Sequence, residues 1–368
     1  MTNYLDNLNE EIREYFRILC PVFPEWLLEY INTYEMQRIN KISMSCGTDY
    51  SKCFNVKYFY SNLDHSVGVA LIIWNFTKSK EQTLAGLFHD IATPVFKHCI
   101  DFMNNDSETQ ESTEEKTREM IENSTDIMKL LERDGISVDR VCDYKIYPLA
   151  DNDTPRLSAD RFEYTFSSGL TFNPVWDLES IKEVYQNIIV VKNEDGLDEF
   201  AFSDLDTCKK YIEIISRLWP SWIASENRVV MQFLADITKS MINKEYLNVE
   251  DLYTLSEADV IEKIRTCPSR NIKNAFFNFE NTDKVYTTTL PVKDRYCINV
   301  NPKKRYIVPL VKIGDNIFRI TDIDEKSKKI VEDFLNIDTN NFVFFDFDFK
   351  PYEKSKVLVK KKIIYAIV

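Results

Sequence analysis

Histidine and glycine are scarce in this chain of 368 residues, which has three histidines and seven glycines. No GxGxxG or GxxxxGKS/T motif occurs, so the nucleotide-binding folds that depend on glycine-rich phosphate loops are disfavoured. The eight cysteines form no CxxC pair, which favours free thiols in a reducing cytosol. No apolar run reaches the roughly 18 residues of a membrane span, and the acidic N-terminus does not resemble a signal peptide. These absences predict a cytoplasmic protein with no membrane association.

Positive charge is also in deficit, with a formal net charge of −13 and a pI near 5.0. A general nucleic-acid binder needs a basic surface that releases counterions, so that activity is disfavoured. The basic run KSKVLVKKK at 354–362 alternates with apolar residues, which predicts an edge strand whose lysines block further pairing. The 44% of hydrophobic residues are enough for one large or two ordinary domains.

The residues that are present predict a mainly α fold. Apolar residues recur every three or four positions in most of the first 240 residues. The predicted helices are 10–20, 24–42, 65–79, 81–91, 207–219 and 226–246. A polar stretch at 104–111 leads into another helix, for which Ser112 and Glu115 fit a capping box. A small β-hairpin is predicted over 187–202, around the turn signal Asp195-Gly196.

The pattern of apolar residues changes past residue 240, where strand-like runs dominate. Short helices are predicted over 256–266 and 324–336, and strands within 284–292, 305–322 and 341–349. This pattern predicts a helical domain over residues 1–240 and an α+β extension over 241–368. The apolar run at 341–349 needs a partner surface, either the chain's own core or a second copy in a homo-oligomer.

All three histidines lie between positions 65 and 98. His65, His89, Asp90 and Asp160 would form a mixed nitrogen and oxygen set that suits one divalent ion in octahedral geometry, completed by water. Such an ion lowers the pKa of bound water. From the residues alone the alternative stays open, because a buried histidine is more often a hydrogen-bonded core residue than a ligand.

The ordered pattern H-S-x-G-V-A, A-G-L-x-H-D-I, P-x-F-x-H-x-x-D and A-D-R-x-E-Y runs from His65 to Tyr164. It resembles the HD-domain superfamily of metal-dependent phosphohydrolases, and within it the deoxynucleoside triphosphate triphosphohydrolase branch. The resemblance extends from about Glu35 to Tyr164 and is weaker through about residue 240. It implies an HD-domain helical core that carries the hairpin.

The resemblance assigns functional positions. It places His65, His89, Asp90 and Asp160 at the ligands of one divalent metal ion, which the donor types allow to be Mn, Fe, Ni, Zn or Mg.

It also assigns catalytic roles to His98, which transfers a proton or contacts phosphate, and to Asp101, which orients His98. Glu111 belongs to the segment that matches a T-H-E motif and is a third catalytic candidate. The alternative for Glu111 is a solvated residue near a helix start.

Arg161 matches a residue that contacts substrate phosphate, and Tyr164 matches an aromatic that packs on a nucleotide sugar. Lys97 is a further cation near the substrate, with Arg156 and Arg217 as additional candidates. Asn62 occupies a substrate position where the triphosphohydrolases have arginine.

Other substrate positions also depart from that branch. Met44-Ser45 replaces its Gln-Leu pair, Thr109-Gln110-Glu111 replaces its T-H-E motif, and Ser167-Ser168 replaces an Arg-Asp pair. These losses concern the binding of triphosphate and sugar and leave the metal ligands intact.

The expected function is therefore metal-dependent hydrolysis of a phosphate ester, with a nucleotide mono- or triphosphate as the expected substrate. The alternative is a catalytically weakened HD protein that serves as a nucleotide-binding regulatory or assembly module. A purely structural helical protein would leave the buried His89-Asp90 pair unexplained. A dinuclear oxygen-activating site is disfavoured because the chain has no further histidines to hold a second iron.

Overall fold

The computed structural model describes residues 4–110 and 116–352. The chain is predominantly helical, as the apolar periodicity predicts. The helices of its first half are α1 (Glu10–Leu19), α2 (Leu27–Ile31), α3 (Tyr34–Ile39), α4 (Asn62–Thr77), α5 (Lys80–Phe88), α6 (His98–Met103), α7 (Thr117–Asn123), α8 (Thr125–Asp134) and α9 (Ala159–Thr171). Those of its second half are α10 (Leu178–Gln186), α11 (Leu205–Ile215), α12 (Trp219–Trp222), α13 (Ser225–Asn243), α14 (Asp251–Thr254), α15 (Glu257–Thr266), α16 (Arg270–Asn281), α17 (Ile320–Ile323) and α18 (Glu325–Leu335).

Two small sheets accompany the helices. Their strands are β1 (Ile188–Lys192), β2 (Asp198–Phe202), β3 (Tyr286–Thr288), β4 (Cys297–Ile298), β5 (Leu310–Ile313), β6 (Asn316–Arg319) and β7 (Phe342–Phe344). The predicted hairpin is present as the antiparallel pair β1 and β2. Gly196 in its turn has φ of +74°, a conformation that glycine adopts without strain.

The hairpin does not stand alone, because β2 pairs in parallel with β5 and gives the strand order β1-β2-β5-β6. The segment after residue 300 therefore completes a sheet that the first 240 residues begin. The predicted boundary at residue 240 lies inside α13, which continues to Asn243. The division into 1–240 and 241–368 stays a prediction, and the two predicted units share this sheet.

Helix α4 lies at the centre of the larger hydrophobic core, where it packs against α5 and α9. Every residue from 62 to 73 is buried. Ser61 caps the helix by accepting a hydrogen bond from the Asp64 amide, and the Asp64 carboxylate accepts one from the Ser61 amide at 2.9 Å. This capping box fixes the first turn of α4, which carries His65.

A second core joins α6, α13, α15 and α16 to the sheet β3-β7-β4. Phe233 of α13 lies in its middle and stacks on Phe279, with ring centroids 4.8 Å apart. Phe345 and Phe349 of the predicted 341–349 run are buried around it. That run therefore packs against the chain's own core.

Several local predictions differ from the structure. The single helix predicted over 24–42 is divided into α2 and α3. The helices that were not predicted are α9, α10, α12, α14, α16 and α17. The helix predicted over 81–91 ends earlier, at Phe88, and His89 is its C-terminal cap residue. The Ser112–Glu115 capping box and the basic run at 354–362 lie outside the described residues.

All eight cysteines are free thiols, as their spacing predicts. No helix within residues 4–110 and 116–352 combines the length and apolarity that a membrane crossing requires.

Candidate metal centre

Three side chains converge from three helices at one wall of a cavity. His65 lies in the first turn of α4, His89 directly follows α5, and Asp160 lies in the first turn of α9. The Nε2 atoms of His65 and His89 are 3.1 Å apart, and Asp160 Oδ1 lies 3.1 Å from the first and 3.7 Å from the second. The three donor atoms therefore face a common point.

Asp90 lies on the edge of this group. Its Oδ2 atom is 3.7 Å from His89 Nε2 and 4.0 Å from His65 Nε2, and it also accepts from the Lys97 ammonium at 3.0 Å. Burial favours the neutral acid, but Lys97 and the two imidazoles hold the pKa of Asp90 well below its usual range. Asp90 is therefore an ionised carboxylate within reach of the same point.

Hydrogen bonds at the far side of each ring set its orientation. His89 Nδ1 donates to the Gly86 carbonyl at 2.7 Å, and His65 Nδ1 is bonded to the Glu163 carboxylate. Since both Nδ1 atoms are donors, both Nε2 atoms of the neutral rings present lone pairs toward each other and toward Asp160. Lone pairs at this spacing repel unless a cation lies between them, so the donor set fits a divalent metal ion.

Glu163 is the buried carboxylate that organises this side of the centre. It accepts hydrogen bonds from the Tyr60 hydroxyl at 2.6 Å, from the Tyr15 hydroxyl at 3.3 Å and from Ser167 at 3.2 Å. Gly68 leaves room for it, because a Cβ there would lie 2.7 Å from Glu163 Cγ. The sequence motif contains both residues, yet sequence reasoning assigned Glu163 no role; its position three residues after Asp160 on α9 was the available signal.

His65 should be protonated at neutral pH in the metal-free protein. Burial favours its neutral form, but Glu163 and Asp160 outweigh burial and raise the pKa of His65 to about 10. The protonated Nε2 of His65 then donates a hydrogen bond to Asp160, and this proton takes the place of the metal ion. Because the folded pKa lies above the ordinary 6.5, this proton stabilises the metal-free protein fully below about pH 6.5, and the stabilisation is lost as pH rises through 10.

The measurement is NMR of ring-labelled histidine in the metal-free protein, where three histidines give a sparse spectrum. Since a metal ion must displace the His65 proton, metal affinity is also expected to increase with pH up to about pH 10, where His65 loses that proton in the metal-free protein. A His65 ring that titrates near its ordinary value would contradict the expectation.

His98 faces the same cavity from the start of α6. Its Nδ1 donates to Asp101 Oδ2 at 3.0 Å, and Asp101 is fully buried behind it. Burial lowers the pKa of His98, and the Arg305 and Lys97 cations lower it further against the opposing effect of Asp101. The ring therefore presents an unprotonated Nε2 to the cavity at neutral pH.

The backbone before His98 is strained. Phe96 and Lys97 have φ values of +66° and +44°, which non-glycine residues adopt only when the surroundings impose them. Arg38 supports the turn between His89 and this segment, since its guanidinium donates to the carbonyls of Ile91 and Thr93 at 2.9 and 2.8 Å. Such strain is typical of functional loops.

The cavity has a volume of about 620 Å³. Most of the predicted site residues line it, namely His65, His89, Asp90, Lys97, His98, Asp160, Arg161 and Tyr164. Asn62 does not reach its surface; it is fully buried, and its side-chain oxygen accepts from the Lys97 ammonium. Glu111 lies outside the described residues.

Arg161 faces a loop rather than open cavity. Its guanidinium donates to Asn152 Oδ1 at 2.7 Å and pairs with Asp151 at 3.1 Å, and the residue is 9% exposed. Tyr164 is half-buried and packs edge-on against Trp222, with ring centroids 5.5 Å apart. Tyr164 and Trp222 together form an aromatic wall of the cavity.

Arg305 and Gln110 are cavity residues for which sequence reasoning proposed no role. Gln110 occupies the histidine position of the T-H-E motif, and its Oε1 accepts from Arg305 at 2.7 Å. Arg217, by contrast, is exposed and does not line the cavity.

No protein-family model matches this sequence. Over 307 residues the chain is 22% identical to the uncharacterized protein YdhJ of Bacillus subtilis, a match that covers 83% of this chain and 90% of YdhJ. Over 147 residues it is 25% identical to the metal-dependent phosphohydrolase cns2 of Cordyceps militaris, covering 40% of this chain and 41% of cns2.

Two solved structures are similar along most of the chain. A hypothetical protein of Aquifex aeolicus has a TM-score of 0.61 at 16% identity, covering 88% of this chain and 93% of that one. A phosphohydrolase of Bacteroides thetaiotaomicron has a TM-score of 0.57 at 12% identity, covering 88% and 96%. The fold is therefore shared with these proteins across both predicted units. The specific likeness to triphosphohydrolases stays a prediction.

Proposed function

We propose that this protein is a metal-dependent phosphohydrolase of HD type that acts on a phosphate ester, with a nucleotide as the substrate. The observation that carries the proposal is the convergence of two imidazole Nε2 atoms and the Asp160 carboxylate, with Asp90 beside them, on a cavity that His98 also faces. The names of the Cordyceps relative and the Bacteroides structure support the same class of reaction.

The contacts support the following roles. His65, His89, Asp90 and Asp160 would hold the ion. A divalent ion at this position supplies positive charge for a phosphoryl group and lowers the pKa of water.

His98 accepts a proton at its free Nε2, and Asp101 keeps the opposite nitrogen protonated and the ring fixed. Lys97 stabilises Asp90 as an anion, and Asn62 orients Lys97. We retain Glu111 as a catalytic candidate. We retain Arg161 as a candidate for substrate binding, in which it would position the loop of residues 151–156 that its guanidinium contacts.

The cavity suits a nucleotide. Its volume of about 620 Å³ falls within the range of small-molecule sites. Tyr164 and Trp222 offer aromatic surface for a sugar or base, and burial raises the pKa of Tyr164 to about 12, so its hydroxyl stays a hydrogen-bond donor.

The test is release of phosphate or polyphosphate from nucleoside mono- and triphosphates in the presence of Mn²⁺. We expect turnover by the wild type and none by Asp90→Ala, because that change removes a ligand and leaves Lys97 without its carboxylate. The released product distinguishes a phosphatase from a triphosphohydrolase.

Absence of turnover across the panel, with metal bound, would overturn the enzymatic proposal. Nucleotide-induced thermal stabilisation under those conditions would instead favour the regulatory module. The replacement of the T-H-E histidine by Gln110 is the observation that keeps this second function in view.

A further inference from the structure

The cavity cations differ in what they contact. Three of them each form an ion pair with a carboxylate: Lys97 with Asp90, Arg156 with Asp195, and Arg161 with Asp151. A phosphate that approaches these groups competes with an anion already in place. Their net positive charge toward a substrate is correspondingly small.

Arg305 has a different environment. Its guanidinium donates to the Gln110 side-chain oxygen at 2.7 Å and lies 3.4 Å from His98 Nε2. Both partners are uncharged groups, and within the part of the chain that the structure describes no carboxylate forms an ion pair with it. Among the described residues, Arg305 therefore brings positive charge that no carboxylate pairs with to the nitrogen through which His98 faces the cavity.

The segment that carries Arg305 is held on both sides. Before Arg305, the Asn301 side-chain amide donates to the Glu108 carboxylate at 3.3 Å, and the Lys303 ammonium donates to the Thr109 carbonyl at 2.7 Å. After it, the Val308 amide donates to the Pro155 carbonyl at 2.8 Å, and β5 continues the sheet of the hairpin. The position of Arg305 is thus set by the fold and not by its own side-chain contacts alone.

We propose that Arg305 binds the phosphoryl group of the substrate beside His98, which deepens the proposed function and rests on it. A guanidinium presents paired donors that match phosphate oxygens, and a phosphate is a stronger acceptor than the neutral groups it would replace. This chain has Asn62 at the position where the triphosphohydrolases that it resembles have an arginine. Arg305 supplies a cation to the cavity from a segment distant in sequence.

The experiment compares Arg305→Met with the wild type in the metal-loaded protein, using inorganic phosphate as the probe. We expect the thermal shift by phosphate to require about tenfold more phosphate, and KM for the hydrolysed nucleotide to rise by a similar factor. Metal content should not change. Lys312→Met is the matched control, because it removes an exposed cation from β5 of the same region.

Equal phosphate binding and equal KM in Arg305→Met and the wild type would overturn the inference. If Arg305→Met loses its fold or its metal, Arg305→Gln is measured by the same criteria, since a glutamine is polar and uncharged. A wild type that hydrolyses nothing, yet binds phosphate in an Arg305-dependent way, would reject the proposed function and support this site.

Discussion

Asp160→Ala is expected to abolish both metal retention and turnover. Asp160 Oδ1 lies 3.1 Å from His65 Nε2 and 3.7 Å from His89 Nε2, so it faces the Nε2 atoms of both imidazoles. Burial opposes its ionisation, but the two imidazoles and Arg161 hold the pKa of Asp160 below its usual range. Its removal leaves two imidazoles and Asp90, a set that we expect to be too weak to retain an ion through dialysis.

The measurement is metal content by elemental analysis after dialysis, together with the rate of phosphate release. Asp126→Ala is a close control, because Asp126 occupies the same second position of α8 that Asp160 has in α9. Both helices are capped by a serine whose side chain accepts a backbone hydrogen bond, Ser124 in α8 and Ser158 in α9. The pair thus separates loss of a ligand from loss of a helix-terminal charge. Full metal content and rate in Asp160→Ala would reject the ligand assignment.

The metal centre could be anticipated because the ordered motifs resemble those of the HD-domain superfamily, whereas the residues alone left a core role for the histidines open. The apolar run of α4 and the periodicity of α5 place His65 and His89 at adjacent helix ends. Asp160 follows Ser158, a helix-start residue that caps α9. Periodicity predicted α4 and α5 but not α9, so local signals alone did not assign Asp160 to the site. The structure brings His65, His89 and Asp160 together.

Arg305 could not be anticipated in this way. It reaches the cavity because β5 pairs with β2, a contact between segments far apart in sequence. No periodicity or motif near Arg305 in the sequence predicts that pairing of β5 with β2. For Arg161 the motif predicts a phosphate contact, which stays a prediction; in the folded chain its guanidinium donates to Asn152 and forms an ion pair with Asp151.

Glu163→Gln is expected to weaken metal binding by about 10- to 100-fold after correction for the competing proton on His65, the usual effect of changing a group that orients a ligating histidine. The substitution keeps the size of the side chain but removes its charge from a site that is fully buried. An amide no longer stabilises the Nδ1 proton of His65 as a carboxylate does. The affinity is measured by competition with a chelator of known strength.

Glu257→Gln provides the control for a buried glutamate. Glu257 is 3% exposed, and burial, with help from Asp49, raises its pKa to about 8, so it is largely neutral already. We expect this variant to bind metal like the wild type.

A second readout distinguishes a positioning role for Glu163 from general destabilisation. Glu163 is the strongest contribution that raises the pKa of His65, so the His65 NMR signal of metal-free Glu163→Gln should titrate well below 10. A variant that keeps both the wild-type titration of His65 and the wild-type metal affinity would show that Glu163 only fills space. A variant with both properties changed, and folded by circular dichroism, would place Glu163 in the metal centre as the residue that makes His65 a ligand.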